Sequence, residues 1–288
     1  MLGINTNAPS LGAQMNLSKS AGSLETSIAR LSSGLRVNSA KDDAAGLAIA
    51  ERMTAQIRGF DVAARNANDG ISLLQVADGA LGKIGDNLQR MRELGVQAKN
   101  GTLNDTDRAN LNREFTELAN EVGRVATGTT FNGNNVFASA NKTVNLQIGS
   151  GNVASDTLAV NLTDTGAAAG NDLQTTLGGA TQAAIVTAFG GVDTVANATT
   201  AITEIDTAIN DITNLRATTG ASLSRLDQVV SSLETTSANL SSARGRIMDA
   251  DFAKETANLT RAQILQQAGT AMLAQANQLP NNVLSLLR

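Results

Sequence analysis

The chain has 288 residues, a formal net charge of −4, and no Cys, His, Trp or Tyr. Those absences exclude disulfide frameworks, thiolate or imidazole metal sites, Ser-His triads and cysteine nucleophiles. The near-neutral balance, without clustered Lys and Arg or stacking aromatics, argues against nucleic acid as a partner, and no apolar run approaches the ~18 residues of a membrane span.

Aromatics are only 2% of the residues and all are Phe, so burial must come from Ala, Leu, Ile and Val in narrow layers. Two prolines, Pro9 and Pro280, leave everything between them free to be long helix. From Met1 to Ser18 there is no charge, and Gly, Asn, Ser and Thr dominate, a composition that does not fold by itself. It reads either as a frayed terminus or as an uncleaved export address. Leu17, Ala21, Leu24, Ile28, Leu31 and Leu35 then step by four and three, which predicts one stripe of a helix. After a break at Asn38-Ser39, the series from Met53 and Ile57 through Ile71, Leu74 and Ala77 to Leu88 and Met91 predicts a helix from about Asp43 to Lys99. At ~1.5 Å per residue it would be on the order of 85 Å long, a rod rather than a globular helix. Gly70, Gly79, Gly82, Gly85 and Gly95 lie inside it and imply close helix contact or support from neighbours.

Asn100-Gly101 is expected to end this helix in left-handed geometry. Asn104, Asp105, Thr106 and Asp107 supply caps and first-turn acids for the next, whose stripe is Leu111, Phe115, Leu118, Val122 and Val125. Phe131-Asn132-Gly133 predicts a turn. The period then changes to two: Val144, Leu146 and Ile148, and after Gly149-Ser150-Gly151-Asn152 the set Leu158, Val160 and Leu162, predict a hairpin with one apolar face. Residues 163–200 read as mixed loop and short helix. Helical periodicity returns at Ile202, Ile205, Ile209 and Ile212, slips near Thr218-Thr219-Gly220, and continues through Leu240 and Ile247. A last helical segment carries Leu259, Leu265, Met272 and Leu279 before Pro280.

Composition divides the chain in three. Residues 1–137 carry 14 basic and 14 acidic side chains, 138–203 carry one basic and four acidic, and 204–288 carry 7 and 8. Long terminal helices around a hairpin-bearing middle predict a mainly α fold: a long antiparallel coiled-coil or helical-bundle rod with a small β-hairpin region. The outermost helices are too poor in apolar content to form a stable isolated hairpin, which points to packing between molecules.

Motifs that carry catalytic chemistry are nearly absent from the sequence. Asp42-Asp43 and Asp249/Asp251 have the raw material for acid–base work, but each pair precedes a helical stripe and reads as a capping element. Gly79-x-x-Gly82-x-x-Gly85 has the wrong spacing for a dinucleotide fingerprint and no strand before it, and Lys83 lacks the flanks of a phosphate loop. No cofactor or metal is expected, and the chain does not read as an enzyme.

Two segments, Leu31-Ser-Ser-Gly34-Leu-Arg36-Val-Asn38-Ser-Ala-Lys41-Asp42-Asp43-Ala-Ala-Gly46 and Asn66-Ala-Asn68-Asp69-Gly70-Ile-Ser, resemble the N-terminal signatures of bacterial flagellin. Arg261-Ala-Gln-Ile-Leu-Gln-Gln-Ala-Gly269, Ala274-Gln-Ala-Asn277-Gln and Asn282-Val-Leu-Ser-Leu-Leu-Arg288 resemble its C-terminal signature. The resemblance covers about 1–137 and 200–288. It implies an inner terminal-helix domain of 1–42 and 247–288, a helical rod domain of 43–137 and 204–246, and a variable centre of 138–203. It implies a filament subunit for swimming, exported through the flagellar type III apparatus without a cleaved signal and located outside the cell. A hook–filament junction protein of the same architecture is the alternative. Self-assembly is assigned to Leu17, Leu24, Ile28, Leu31, Leu35, Leu259, Leu265, Met272, Leu279 and Leu286. Implied partners are further copies of the chain, the filament cap, hook-associated junction proteins, an export chaperone and a host Toll-like receptor. The receptor surface would comprise Gln89, Arg90, Glu93, Leu94, Gln97 and Glu114. Gly95 stands where an Ala is usual in that region, and Gly220-Ala-Ser-Leu-Ser224-Arg225 departs from the Gln-Asn often found before the Arg.

Overall fold

The computed structural model describes residues 7–137, 143–163 and 187–285, with the side chains of 279–285 outside the description. The fold is mainly α. Helices α1 (Ala8–Ser33), α2 (Ala44–Ala98) and α3 (Asp105–Gly128) precede two antiparallel hairpins, β1 (Thr130–Phe131) with β2 (Asn134–Asn135) and β3 (Thr143–Gln147) with β4 (Thr157–Asn161). Helices α4 (Val195–Met248) and α5 (Phe252–Ser285) follow. Contacts group the chain into two units, Met1–Ile57 with Ala238–Arg288, and Arg58–Ser237, so the boundaries fall within α2 and α4.

The Arg58–Ser237 unit holds the large apolar core. Its α2 and α4 segments run antiparallel: Asp61 accepts from Ser237, Asp78 pairs with Arg216 at 2.9 Å and Arg92 with Asp206 at 2.5 Å, so one number rises as the other falls. Leu74, Leu81, Ile84, Leu88 and Met91 of α2 are buried against Phe115 and Val122 of α3 and Ile205, Ile212 and Leu215 of α4. Each such side chain removed from water contributes about 1.5–3 kcal/mol. Asn104 caps α3 by accepting from the Asp107 N–H at 2.8 Å, and the Asp107 carboxylate accepts in turn from the Asn104 N–H. This reciprocal box satisfies two otherwise orphaned donors.

Two sequence expectations in this unit change. The α2 helix ends without left-handed geometry at Asn100 or Gly101. The buried Arg108 guanidinium reaches back instead and donates to the carbonyls of Ala98 at 3.1 Å and Asn100 at 3.2 Å. Next, α4 begins at Val195, inside the stretch read as mixed loop and short helix. Thr194 Oγ1 caps it by accepting from the Asn197 N–H at 3.2 Å, and the buried stripe starts with Ala198 and Ala201, residues too small to stand out as an apolar period. The slip near Thr218-Thr219-Gly220 lies inside one continuous helix, as the periodicity on both sides of it implies. Residues 164–186 of that expectation lie outside the described residues.

Both turn expectations hold. Asn132 (φ 49°) and Gly133 (φ 75°) form the two-residue turn between β1 and β2, where left-handed backbone matches the twist of the strands. In β3 and β4, Val144 faces Val160 and Leu146 faces Leu158, which puts the predicted apolar set on one side. That side rests on α2 where glycines leave room: a Cβ at Gly70 would collide with Leu146, and one at Gly59 would lie 2.6 Å from Ser150 Cβ.

The terminal unit is built differently. Helices α1 and α5 run antiparallel: Ser10 Oγ donates to Asn277 Oδ1 at 2.8 Å, and Arg30 Nη1 pairs with Glu255 Oε1 at 3.3 Å. Their buried positions are small or polar, namely Ser10, Ser20 and Ser27 on α1 and Glu255, Ala262 and Ala276 on α5. The helix predicted to include Leu35 stops at Ser33, because Gly34 adopts φ 70° and caps it. Leu35 instead forms a short antiparallel bridge with Asp249, flanked by hydrogen bonds from Ala250 N to Gly34 O (2.9 Å) and from Arg36 N to Met248 O (2.6 Å). The last helix also continues through Pro280 rather than ending before it. Proline has no N–H to offer Ala276 O four residues back. Asn7 Nδ2 donates to that carbonyl at 2.9 Å instead.

Candidate functional site

Three of the four acidic side chains weighed for acid–base work serve local structure. Asp43 Oδ1 accepts from the Gly46 N–H at 2.8 Å at the start of α2, and Asp251 Oδ1 accepts from Ala253 N and Lys254 N at the start of α5. Asp42 accepts from the N–H groups of Asn38 and Ser39 and from the Ser39 hydroxyl. The backbone and hydroxyl bonds from Ser39, then that from Asn38, hold its carboxyl below the ordinary value of 3.8. Among the described residues no cluster of His, Cys, Asp or Glu gathers for a metal ion, and no described helix is long and apolar enough to cross a membrane.

Two surfaces remain. The first is the α1–α5 pair. Along it runs an open groove of about 1010 Å³, lined by Asn16, Leu17, Ser20, Arg30, Arg261 and Met272 among others. Leu17, Leu24, Leu31, Leu35 and Leu259 are half-buried, while Ile28, Leu265 and Met272 are exposed. Leu286 lies outside the described residues, and of Leu279 only the helical backbone is described. Leu11, Met15 and Phe252, which the sequence reading missed, and Ile264 are also exposed on these helices. Leu11 and Met15 precede the periodic stripe, in the charge-free segment, and spacing alone gave no sign of them.

Exposure of large hydrophobics sorts cleanly between the units. Those of Arg58–Ser237 are all valines; those of the terminal unit are Leu, Met, Ile and Phe, with no valine among them. The terminal unit's buried apolar residues are only Val37, Ala50, Ala262 and Ala276 among the described residues. It therefore hides small side chains and shows large ones, the reverse of a finished core. At the same seam Arg30 Nε is a buried donor with no acceptor among the described residues.

The second surface lies on α2 and α3. Arg90 donates through Nε and Nη2 to Glu114 Oε1 at 3.0 and 2.8 Å, and through Nη1 to Glu93 Oε2 at 2.9 Å. The Glu93 and then the Glu114 hydrogen bonds raise the guanidinium above its ordinary value. Gln89 and Gln97 are exposed on the same helix. Leu94, grouped with them in the sequence reading, is 1% exposed and belongs to the core. The helical period explains this: Leu94 follows Met91 and Leu88 on the inward stripe. Gly95 is also buried, and a Cβ there would lie 3.0 Å from Ile202 Cγ1, so the glycine admits α4 close to α2.

Long terminal helices that pair with each other and show large apolar side chains, beside a hairpin-bearing helical unit, are the architecture of a structural subunit that packs against others. The family model for the bacterial flagellin N-terminal helical region matches residues 4–142, and that for the flagellin C-terminal helical region matches residues 202–287. The chain is 43% identical over 287 residues to a flagellin of Halalkalibacterium halodurans, and 42% identical over 314 residues to one of Xenorhabdus nematophila, with 99% of both chains covered in each case. Its likeness to the crystal structure of Bacillus cereus flagellin has a TM-score of 0.47 at 36% identity, covering 59% of this chain and 88% of that one. The chain belongs to the bacterial flagellin family, the structural proteins that polymerise into the flagellar filament.

Proposed function

We propose that this chain is a swimming-filament subunit whose terminal helices, α1 and α5, are its main assembly surface. The observation that carries this reading is the inverted burial of the terminal unit, large apolar side chains outside and small ones inside. Such a unit gains little from folding alone and much from packing against further copies, the energetic pattern of folding coupled to association. Leu11, Met15, Ile28, Phe252, Ile264, Leu265 and Met272 would be covered in the polymer, with half-buried Leu17, Leu24, Leu31 and Leu259 completing each seam. Leu35 would act at the joint with Asp249, and Leu279 and Leu286 would extend the surface toward the C-terminus. The division into 1–42 with 247–288, 43–137 with 204–246, and 138–203 is retained as the proposed arrangement in the filament.

Export through the flagellar type III apparatus, without cleavage, gives the charge-free opening segment a purpose. On this reading the chain works outside the cell, meets the filament cap and junction proteins at its ends, and is held by a chaperone beforehand. Purified protein raised in salt, with and without filament seeds, should form long tubes visible by electron microscopy. Persistent absence of tubes in both cases would overturn the filament reading in favour of a junction protein that does not polymerise indefinitely.

The Arg90 surface supports a secondary role as a ligand of a Toll-like receptor. Arg90, Glu93, Gln89, Gln97 and Glu114 present exposed polar groups; Leu94 would act only by supporting them from beneath. Replacing Arg90 with Ala should lower receptor signalling in reporter cells and leave tube formation intact. Equal signalling by variant and parent would remove this role.

A further inference from the structure

We infer that Met15 and Met272 form an oxidation site that decides whether a subunit can join the polymer. This rests on the reading of α1 and α5 as the assembly surface. The chain contains six Met and no Cys, so thioethers are its only sulfur. Structure divides the described methionines sharply. Met91 is fully buried in the core, Met53 and Met248 are half-buried, and Met15 and Met272 are 69% and 64% exposed. The two exposed thioethers sit one on each terminal helix, and Met272 lines the groove between them.

A hydroperoxide is the co-reactant class that fits. The thioether sulfur attacks the near peroxide oxygen, a sulfur–oxygen bond forms, the O–O bond breaks, and water leaves when hydrogen peroxide is used. Sulfur loses two electrons and the peroxide gains them. The product sulfoxide is polar and a strong acceptor, so a face suited to apolar packing becomes one that resists burial. Access falls once another copy covers that face. Oxidation therefore acts on free subunits, excludes them from addition, and spares those already assembled. Reduction by methionine sulfoxide reductases, with electrons from an external thiol, reverses the change.

The test uses the full chain and hydrogen peroxide. Peptide mass spectrometry of the treated free subunit should find one added oxygen at Met15 and Met272 before any at Met91. The critical concentration for salt-induced polymerisation, read by sedimentation, should rise roughly tenfold, a penalty consistent with burying an unpaired polar group. It should return to the untreated value after reductase treatment. The double variant Met15→Leu, Met272→Leu should polymerise with the same critical concentration before and after peroxide, since Leu has no sulfur to oxidise. Filaments treated after assembly should be protected at both positions. A fully sulfoxidised wild-type chain that polymerises at its untreated critical concentration overturns this proposal and leaves the assembly reading standing. Equal oxidation of both residues in filament and free subunit overturns the placement of these helices at the assembly surface, and this proposal falls with it.

Discussion

Arg108 does work that sequence reading gave to glycine. A guanidinium that is buried yet donates to two carbonyls at the end of α2 replaces the left-handed cap expected at Asn100-Gly101. Nothing in the local spelling shows this, because the donor stands eight and ten residues beyond its acceptors on the next helix. Arg108→Met keeps the aliphatic stem and strands both carbonyls. It should lower stability by about 1–3 kcal/mol in urea unfolding, with Lys at the same place recovering only part of the loss. The acidic capping positions, by contrast, were legible, since Asp and Asn before a helical stripe have few other uses. Asp42 adds a pH dependence of known sign. Its folded value is depressed, so its contribution is present above the ordinary value of 3.8 and is lost as pH falls through the lower folded value. Asp42→Asn should flatten the acid side of the local stability profile, read as amide exchange at Asn38 and Ser39; an unaltered profile would exclude the carboxylate as its source.

Elements were readable where large side chains set the period and unreadable where small ones did. Residues 44–98 gave α2 almost to the residue, through Leu74, Leu81, Leu88 and their neighbours, and alternation in 144–148 and 158–162 gave the β3–β4 face. The start of α4 was hidden by Ala198 and Ala201, and the end of α1 by a Leu35 that keeps the stripe's spacing after Gly34 has turned the chain. The continuation of α5 through Pro280 was hidden for another reason: the carbonyl that proline leaves unpaired is satisfied by a side chain 269 residues away in sequence. Asn7 serves two helices at once, capping α1 through Oδ1 to Ser10 N at 3.1 Å and serving Ala276 O through Nδ2. Asn7→Asp keeps the first function and abolishes the second, whereas Asn7→Ala removes both. Amide exchange should therefore quicken around 276–280 in both variants but around Ser10 only in the Ala variant. The same pattern in both variants would mean that the two bonds are not separable.

At the scale of the whole molecule, the two units differ in what holds them. The Arg58–Ser237 unit has a continuous core of Leu, Ile, Met and Phe drawn from α2, α3 and α4, and it resembles a domain able to stand by itself. The terminal unit has Ser and Ala at its seam, a few polar ties such as Arg30–Glu255, and large hydrophobics facing water. Helices of 26 and 34 residues with so little buried area are opposed by the entropy of ordering them. Opening of the terminal unit should therefore cost much less than opening of the core. In hydrogen exchange on the free subunit, amides of α1 and α5 should exchange orders of magnitude faster than those around Leu81, Leu88 and Ile205. Polymerisation should slow α1 and α5 toward the rate of the core and leave the core nearly unchanged, because the main assembly surface lies on the terminal unit. Strong protection of α1 and α5 in the free subunit would show that the seam is sufficient by itself, and the coupling of folding to assembly would fail with it.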